Sequence, residues 1–190
     1  MCCAKTIRVI LVHTELCFIR YSLIGVCDIN GFIPQACQVV KTSGTGEDVG
    51  NINLARFEQW VEAKLVPILG DYSIREPRSL VVFDNATIHH SDRIVNLIEE
   101  TGARIVYLPP YSPDLNPIEI MFASYKLRLQ KLGKNFDWLD AHYTALVESV
   151  TPSMAMNIFS HCKVGHISSI RTEDNYDEDI MLLILLLIQK

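Results

Sequence analysis

At 190 residues and 49% hydrophobic content, the chain can bury one sizeable core and is too short for two large ones. A formal net charge of −5 excludes a protein whose whole surface holds nucleic acid, so any basic surface must be local or lie elsewhere. Six cysteines, Cys2, Cys3, Cys17, Cys27, Cys37 and Cys162, fall mostly in or beside apolar runs with no CxxC pair, which reads as a reduced, intracellular protein rather than a disulfide framework.

The first segment, Lys5 to Leu11, places two charges before a short apolar run, a weak echo of a signal peptide without a convincing apolar centre or cleavage site. The better expectation is a strand, Ile7 to Val12. Tyr21 to Cys27 and Phe32 to Val40 are rich in β-branched and aromatic residues, and Asp28-Ile29-Asn30-Gly31 between them supplies a turn, so a hairpin is expected. Asp28 reads first as a turn-forming aspartate and only second as a metal ligand. Ser43 to Gly50 carries three glycines without the Lys-Ser/Thr that would complete a phosphate-cradling loop, and is read as a connector.

Leu54, Phe57, Val61 and Leu65 predict a helix ending near Pro67, and a second connector runs from Gly70 to Arg78. Leu80-Val81-Val82-Phe83 is a strand-like run that delivers Asp84 at its end, followed by Asn85 and the pair His89-His90. Ile94, Leu97 and Ile98 then recur at helical spacing, with Ser91 as N-cap and Gly102 as stop, before a second strand-like run, Ile105 to Leu108. A strand, helix and strand in about 30 residues form a right-handed crossover with parallel strands, so both strands end on the same sheet edge. Asp84 and the loop after Leu108 therefore meet there.

That loop holds Pro109, Pro110, Pro113 and Pro117, whose fixed φ angles predict a stiff, extended segment. It ends by starting a helix: Asn116 can cap, Pro117 suits the first helical position, and Glu119 stands where a capping-box carboxylate would. Ile118, Phe122, Tyr125, Leu129 and Leu132 form its apolar stripe, with Glu119 and Lys126 on one flank two turns apart. The helix gives way near Gly133. Leu139 to Val150 and Pro152 to Cys162 predict two more helices. The tail changes character: Glu173, Asp174, Asp177, Glu178 and Asp179 precede nine uninterrupted apolar residues, Ile180 to Ile188, too few to span a membrane. This stretch is expected to be a packed extra helix or an added extension. His161, Cys162 and His166 make at most half a zinc site, so zinc is not expected.

The runs Asp84-Asn85-Ala86-Thr87-Ile88-His89-His90 and Tyr107-Leu108-Pro109-Pro110-Tyr111-Ser112-Pro113-Asp114-Leu115-Asn116-Pro117-Ile118-Glu119 resemble the catalytic core of Tc/mariner-type transposases of the DDE superfamily and related insertion-sequence enzymes. The 34 residues from 85 to 118 match the interval those families keep between their second and third catalytic acids. A looser resemblance runs from about Arg20 to about Val164. It implies an α/β fold, a ribonuclease-H-like mixed sheet flanked by helices, with an atypical first strand. Residues 20–166 would be the core, 1–20 an atypical N-terminal segment holding a replacement first strand, and 167–190 a non-family tail.

The resemblance also implies metal-dependent cleavage and transfer of DNA strands. Acidic side chains in such enzymes hold two Mg2+ or Mn2+ ions, and hard cations prefer carboxylate oxygen. Asp84 matches the second acid and Glu119 the third, both catalytic and metal-binding. Lys126 and His90 are the candidate DNA contacts, and His89 can orient Asp84. The implied partners are DNA, as transposon ends and target, and a second copy of the chain in a homodimer, with no membrane and a nuclear or otherwise intracellular location. Two family features have no match: the N-terminal DNA-binding domains, and the first aspartate, expected at the end of a strand before the hairpin. In the order Ile10-Leu11-Val12-His13-Thr14-Glu15, His13 would take its place, with Glu15 the nearest carboxylate. A truncated or degenerate transposase core is therefore the leading expectation. A domesticated, non-catalytic nucleic-acid- or protein-binding module is the alternative, and an unrelated two-carboxylate hydrolase a third.

Overall fold

The structure, a computed structural model, describes residues 21–41, 50–110, 112–132, 137–162 and 182–188. The segment Ile7 to Val12, with Glu15, lies outside them, as do the connector Ser43 to Val49 and the acidic run Glu173 to Asp179. Among the described residues, β1 (Tyr21–Asp28), β2 (Gly31–Phe32), β3 (Gln38–Lys41), β4 (Leu80–Phe83), β5 (Arg104–Tyr107) and β6 (Leu182–Ile188) form one mixed sheet, in which the path β2-β1-β6-β4-β5 is completed by β3 on β1. The fold is the mixed α/β sheet with flanking helices that the sequence predicts.

The hairpin forms with Asp28 opposite Gly31, whose φ of +118° only glycine adopts without strain. Its second arm is not one strand. Ile33 still donates to the Val26 carbonyl at 2.9 Å, but Pro34 has no N–H to continue the ladder, and the chain turns through Ala36 and Cys37, both donating back to Ile33, before β3 resumes at Gln38. Asp28 is the turn residue its sequence context suggests: Oδ1 accepts from the Asn30 N–H at 2.8 Å, and Oδ2 pairs with Arg78 Nε at 3.2 Å. Asp28 is buried, so Arg78→Ala strands a carboxylate in the core and should cost about 1–3 kcal/mol, read from a urea midpoint. An unchanged urea midpoint in Arg78→Ala would show that the pair contributes nothing.

The predicted helix over 54–65 begins as α1 (Leu54–Trp60), capped by the Asn53 side chain on the Arg56 N–H, and continues through a π turn at Val61–Leu65 and a 3-10 turn at Val66–Ile68. Phe57, Val61 and Leu65 are fully buried, as their spacing requires, and Trp60 Nε1 donates to the Ala36 carbonyl at 2.9 Å. Between β4 and β5, α2 (Asp92–Glu99) buries Ile94 and Ile98 and stops at Gly102, at φ +85°. Ser91 stands at the N-cap position but makes no cap; its hydroxyl donates to Glu58 Oε1 at 2.5 Å, tying α2 to α1.

After the proline loop come α3 (Pro117–Leu132), α4 (Trp138–Glu148) and α5 (Pro152–His161). Phe57 of α1 meets Phe83 from one face of the sheet, at 6.4 Å between ring centroids. On the opposite face, a Cβ at Gly25 would lie 2.6 Å from Phe122 and 3.2 Å from Ile118, which places α3 directly on β1. Glycine at this interior strand position is what lets the helix approach.

The largest departure from expectation is the tail. Residues 182–188 are not the packed extra helix that was one of the two expectations but a strand in the middle of the sheet, antiparallel to β1 and parallel to β4; they lie beyond the hairpin and the parallel pair in sequence. Leucine favours helices, yet a continuous apolar run is also how a strand inside a sheet can read. Pairing on both sides outweighs the weak helical preference. No helix among the described residues is long and apolar enough to cross a membrane.

Candidate active site

Asp84 directly follows β4, and the Leu108 N–H donates to the Phe83 carbonyl at 2.8 Å, so the two parallel strands release their chains side by side. The crossover geometry expected from the sequence is present. Asp84 folds back on its own loop: Oδ1 accepts from the Ala86 N–H at 3.1 Å and lies 2.7 Å from His89 Nδ1, which also approaches the Asp84 carbonyl at 3.2 Å. Two acceptors around Nδ1 require that this nitrogen carry the hydrogen. The Asp84 side chain stays 29% exposed, and both of these side-chain contacts fall on Oδ1.

His89 is fully buried, its ring 4.9 Å from both Phe57 and Phe83, and Nε2 has no hydrogen-bond partner in the described structure. A histidine held so tightly by two aromatic rings fixes the carboxylate it touches. Beside it, the exposed His90 stacks on Tyr107 at 4.3 Å between centroids, and its Nε2 meets Asn85 Oδ1 at 2.8 Å. The Tyr107 hydroxyl donates to the His89 carbonyl at 2.9 Å. Burial, with the Glu99 charge, raises the Tyr107 pKa above its usual value and keeps it a donor. The sequence gives His89 a role, and Asn85 and Tyr107 only a place in the two motif runs. Tyr107 stands at the end of β5, opposite Phe83 in the register, which is what brings its ring to the site.

The proline loop is less extended than its composition suggests. Pro113–Leu115 form a 3-10 turn that closes with Asn116 N–H donating to the Pro113 carbonyl at 3.1 Å. The expected side-chain cap is also not made. Asn116 is buried with Oδ1 unpartnered, and the first turn of α3 is closed by Glu119 N–H on the Asn116 carbonyl at 3.1 Å. Glu119 lies exposed in that first turn, where the helix dipole favours a negative charge. Lys126 is half-buried two turns further along. Asp84, Asn85, His89, His90 and Tyr107 thus share one contact network, whereas Glu119 and Lys126 arrive on α3.

Magnesium is commonly held by one or two carboxylates together with water and substrate phosphates. Asp84, half-buried, and Glu119, exposed, each carry a carboxylate of the kind such an ion takes. Among the described residues no group of three or more His, Cys, Asp or Glu side chains is placed to hold a metal. Cys162 is buried, and His166, the other end of the zinc half-site considered in the sequence, lies outside the described residues.

A family model of the DDE superfamily endonucleases matches residues 45–141, 97 of the 190 residues. The chain belongs to the DDE superfamily. The matched stretch contains Asp84 and Glu119 and excludes the hairpin β1–β3 and the strand β6. DDE superfamily membership makes this a transposase-type nuclease domain, in a family that acts on DNA and typically uses divalent metals. No curated protein and no solved structure matched the chain.

Proposed function

We propose that this DDE superfamily chain is a Tc/mariner-type transposase core, degenerate in that it lacks the first catalytic aspartate. The observation that carries the reading is the position of Asp84: it stands at the carboxyl end of β4, gripped by a buried histidine, and beside it β5 feeds the proline loop and the helix bearing Glu119. In this reading Asp84 is the second acid and Glu119 the third. A bound Mg2+ or Mn2+ would supply activation of a water or 3′-hydroxyl toward a phosphodiester. The chain's own residues position that ion: His89 holds Asp84 by Oδ1, and Glu119 offers its carboxylate from the helix start. Lys126 and His90 contact DNA phosphates at the two sides of the site.

Calorimetry with MnCl2 or MgCl2 tests the reading. The chain is expected to bind at millimolar or tighter affinity, with binding abolished by Asp84→Asn or Glu119→Gln. Loss of the outer partner in His89→Asn should weaken the metal by about 10-fold to 100-fold. Indistinguishable isotherms for all four proteins would reject the two-acid site and leave the non-catalytic binding module. Without the first acid, strand cleavage of transposon-end DNA is expected to be absent or weak. Robust cleavage, lost in Asp84→Asn, would overturn the degenerate part of the reading.

A further inference from the structure

The sheet consists of two parts that do not pair with each other. The hairpin strands β1, β2 and β3 form one, and the parallel pair β4 and β5 the other; β6 is bonded to both and joins them. Leu23 to Cys27 pair with Ile188 to Ile184, and Leu80 to Phe83 with Leu182 to Leu185.

The direction of β6 is as telling as its place. A strand that precedes β1 and joins it through a tight turn must run antiparallel to it. β6 is antiparallel to β1 and parallel to β4, which is the orientation such a preceding strand would have. With Glu119 supplied by α3, an acid that a strand delivers beside Asp84 comes from a neighbour of β4 that runs parallel to it and ends on the same edge, and β5 already fills the other side. The slot between β1 and β4 is therefore the slot for the first acid.

We infer that residues 182–188 substitute for the strand that precedes the hairpin, so that Leu186 occupies the backbone position level with Asp84 where the first acid would stand. Phe83 pairs with Leu185, so position 186 is one step on, level with Asp84; on its other side it pairs with Gly25. The Gly25 row is the one facing α3, because a Cβ at Gly25 would run into Ile118 and Phe122. An acid at position 186 would thus stand in the row covered by the helix that carries Glu119. The chain keeps the sheet intact by closing the slot with its own apolar C-terminal run, and in doing so puts leucine where a carboxylate is needed. The functional part of this inference rests on the reading of Asp84 and Glu119 as metal-binding acids; the placement of the strand does not.

Hydrogen exchange on the full chain tests the placement. Amides of 182–188 should exchange as slowly as those of 22–28 and 80–83, since all three belong to one cooperative sheet. Exchange of 182–188 within seconds, with the other two protected, would overturn the inference. The second measurement is Mn2+ affinity of Leu186→Asp against Leu182→Asp, which puts the same charge at the opposite end of β6, level with Leu80. Leu186→Asp is expected to bind at least about tenfold tighter than the unsubstituted chain, an effect of added ligand charge, and to lose that gain when combined with Asp84→Asn. Protected amides with no gain in Leu186→Asp, judged folded by the same exchange pattern, would overturn the assignment of position 186. If Asp84→Asn leaves Mn2+ binding of the unsubstituted chain unchanged, the two-acid reading fails instead, and the exchange pattern still decides the strand.

Discussion

Phe122→Ala is expected to lower stability by about 3–5 kcal/mol and to loosen the helix that carries Glu119. Phe122 is completely buried one turn after Glu119, its ring 5.7 Å from Phe32 and 6.3 Å from Tyr125, and its tip occupies the space that a side chain at Gly25 would claim. Truncation removes the contact between α3 and β1 and leaves a cavity that the hairpin cannot collapse into, because β1 is held on both sides by β3 and β6. A domain of this size has about 5–15 kcal/mol to lose, so a large share of its stability goes with one ring. Phe122→Leu keeps most of the volume and should cost under about 1.5 kcal/mol.

The same geometry predicts coupling. Gly25→Ala alone places Cβ 2.6 Å from the Phe122 ring and is expected to destabilise by about 1–3 kcal/mol. In the Phe122→Ala background that methyl enters the cavity, so the double variant should be more stable than the sum of the two losses by about 0.5–3 kcal/mol. Urea midpoints of the four proteins decide it. Strict additivity would mean that α3 does not seat on β1 through this pair.

The elements around Asp84 were legible in the sequence because each is specified locally. Four apolar residues before Asp84, helical spacing at Ile94 and Ile98, and Gly102 at a positive φ define a crossover without reference to the rest of the chain. The stripe on α3 was legible for the same reason, and Ile118, Phe122, Tyr125 and Leu132 are buried as their spacing demands. The errors are non-local. Ser91 reads as a cap until Glu58, 33 residues away, takes its hydroxyl. Asn116 reads as a cap, yet its side chain is buried and its backbone carbonyl does the work. The role of residues 182–188 depends on a vacancy between strands more than a hundred and fifty and about a hundred positions earlier, which no local period records. Their unbroken apolar character is itself a signal for a strand covered on both faces, though a buried helix segment writes the same pattern.

Acidification should weaken this fold through His142. The residue is buried on α4, its Nδ1 accepting a short hydrogen bond from the Tyr125 hydroxyl, with the Tyr21 ring edge-on at 4.8 Å. Burial pushes its pKa down to about 4 from the ordinary 6.5 and pushes the Tyr125 phenol well above its usual value, so both stay neutral and the bond is kept. The folded His142 therefore resists a proton that the unfolded chain accepts from about pH 6.5 downward. Between 6.5 and 4 the unfolded state binds more protons, so stability is fully present above this window and falls as pH drops through it. A shift from 6.5 to about 4 corresponds to at most about 3 kcal/mol. His142→Gln retains an acceptor for the Tyr125 hydroxyl and removes the titrating group. Carboxylates protonate alike in both proteins, so the difference between their urea midpoints at pH 7 and pH 4.5 isolates the histidine. The His142 protein should lose the larger share of its stability on acidification, and equal losses would mean that His142 is protonated in the folded state without cost.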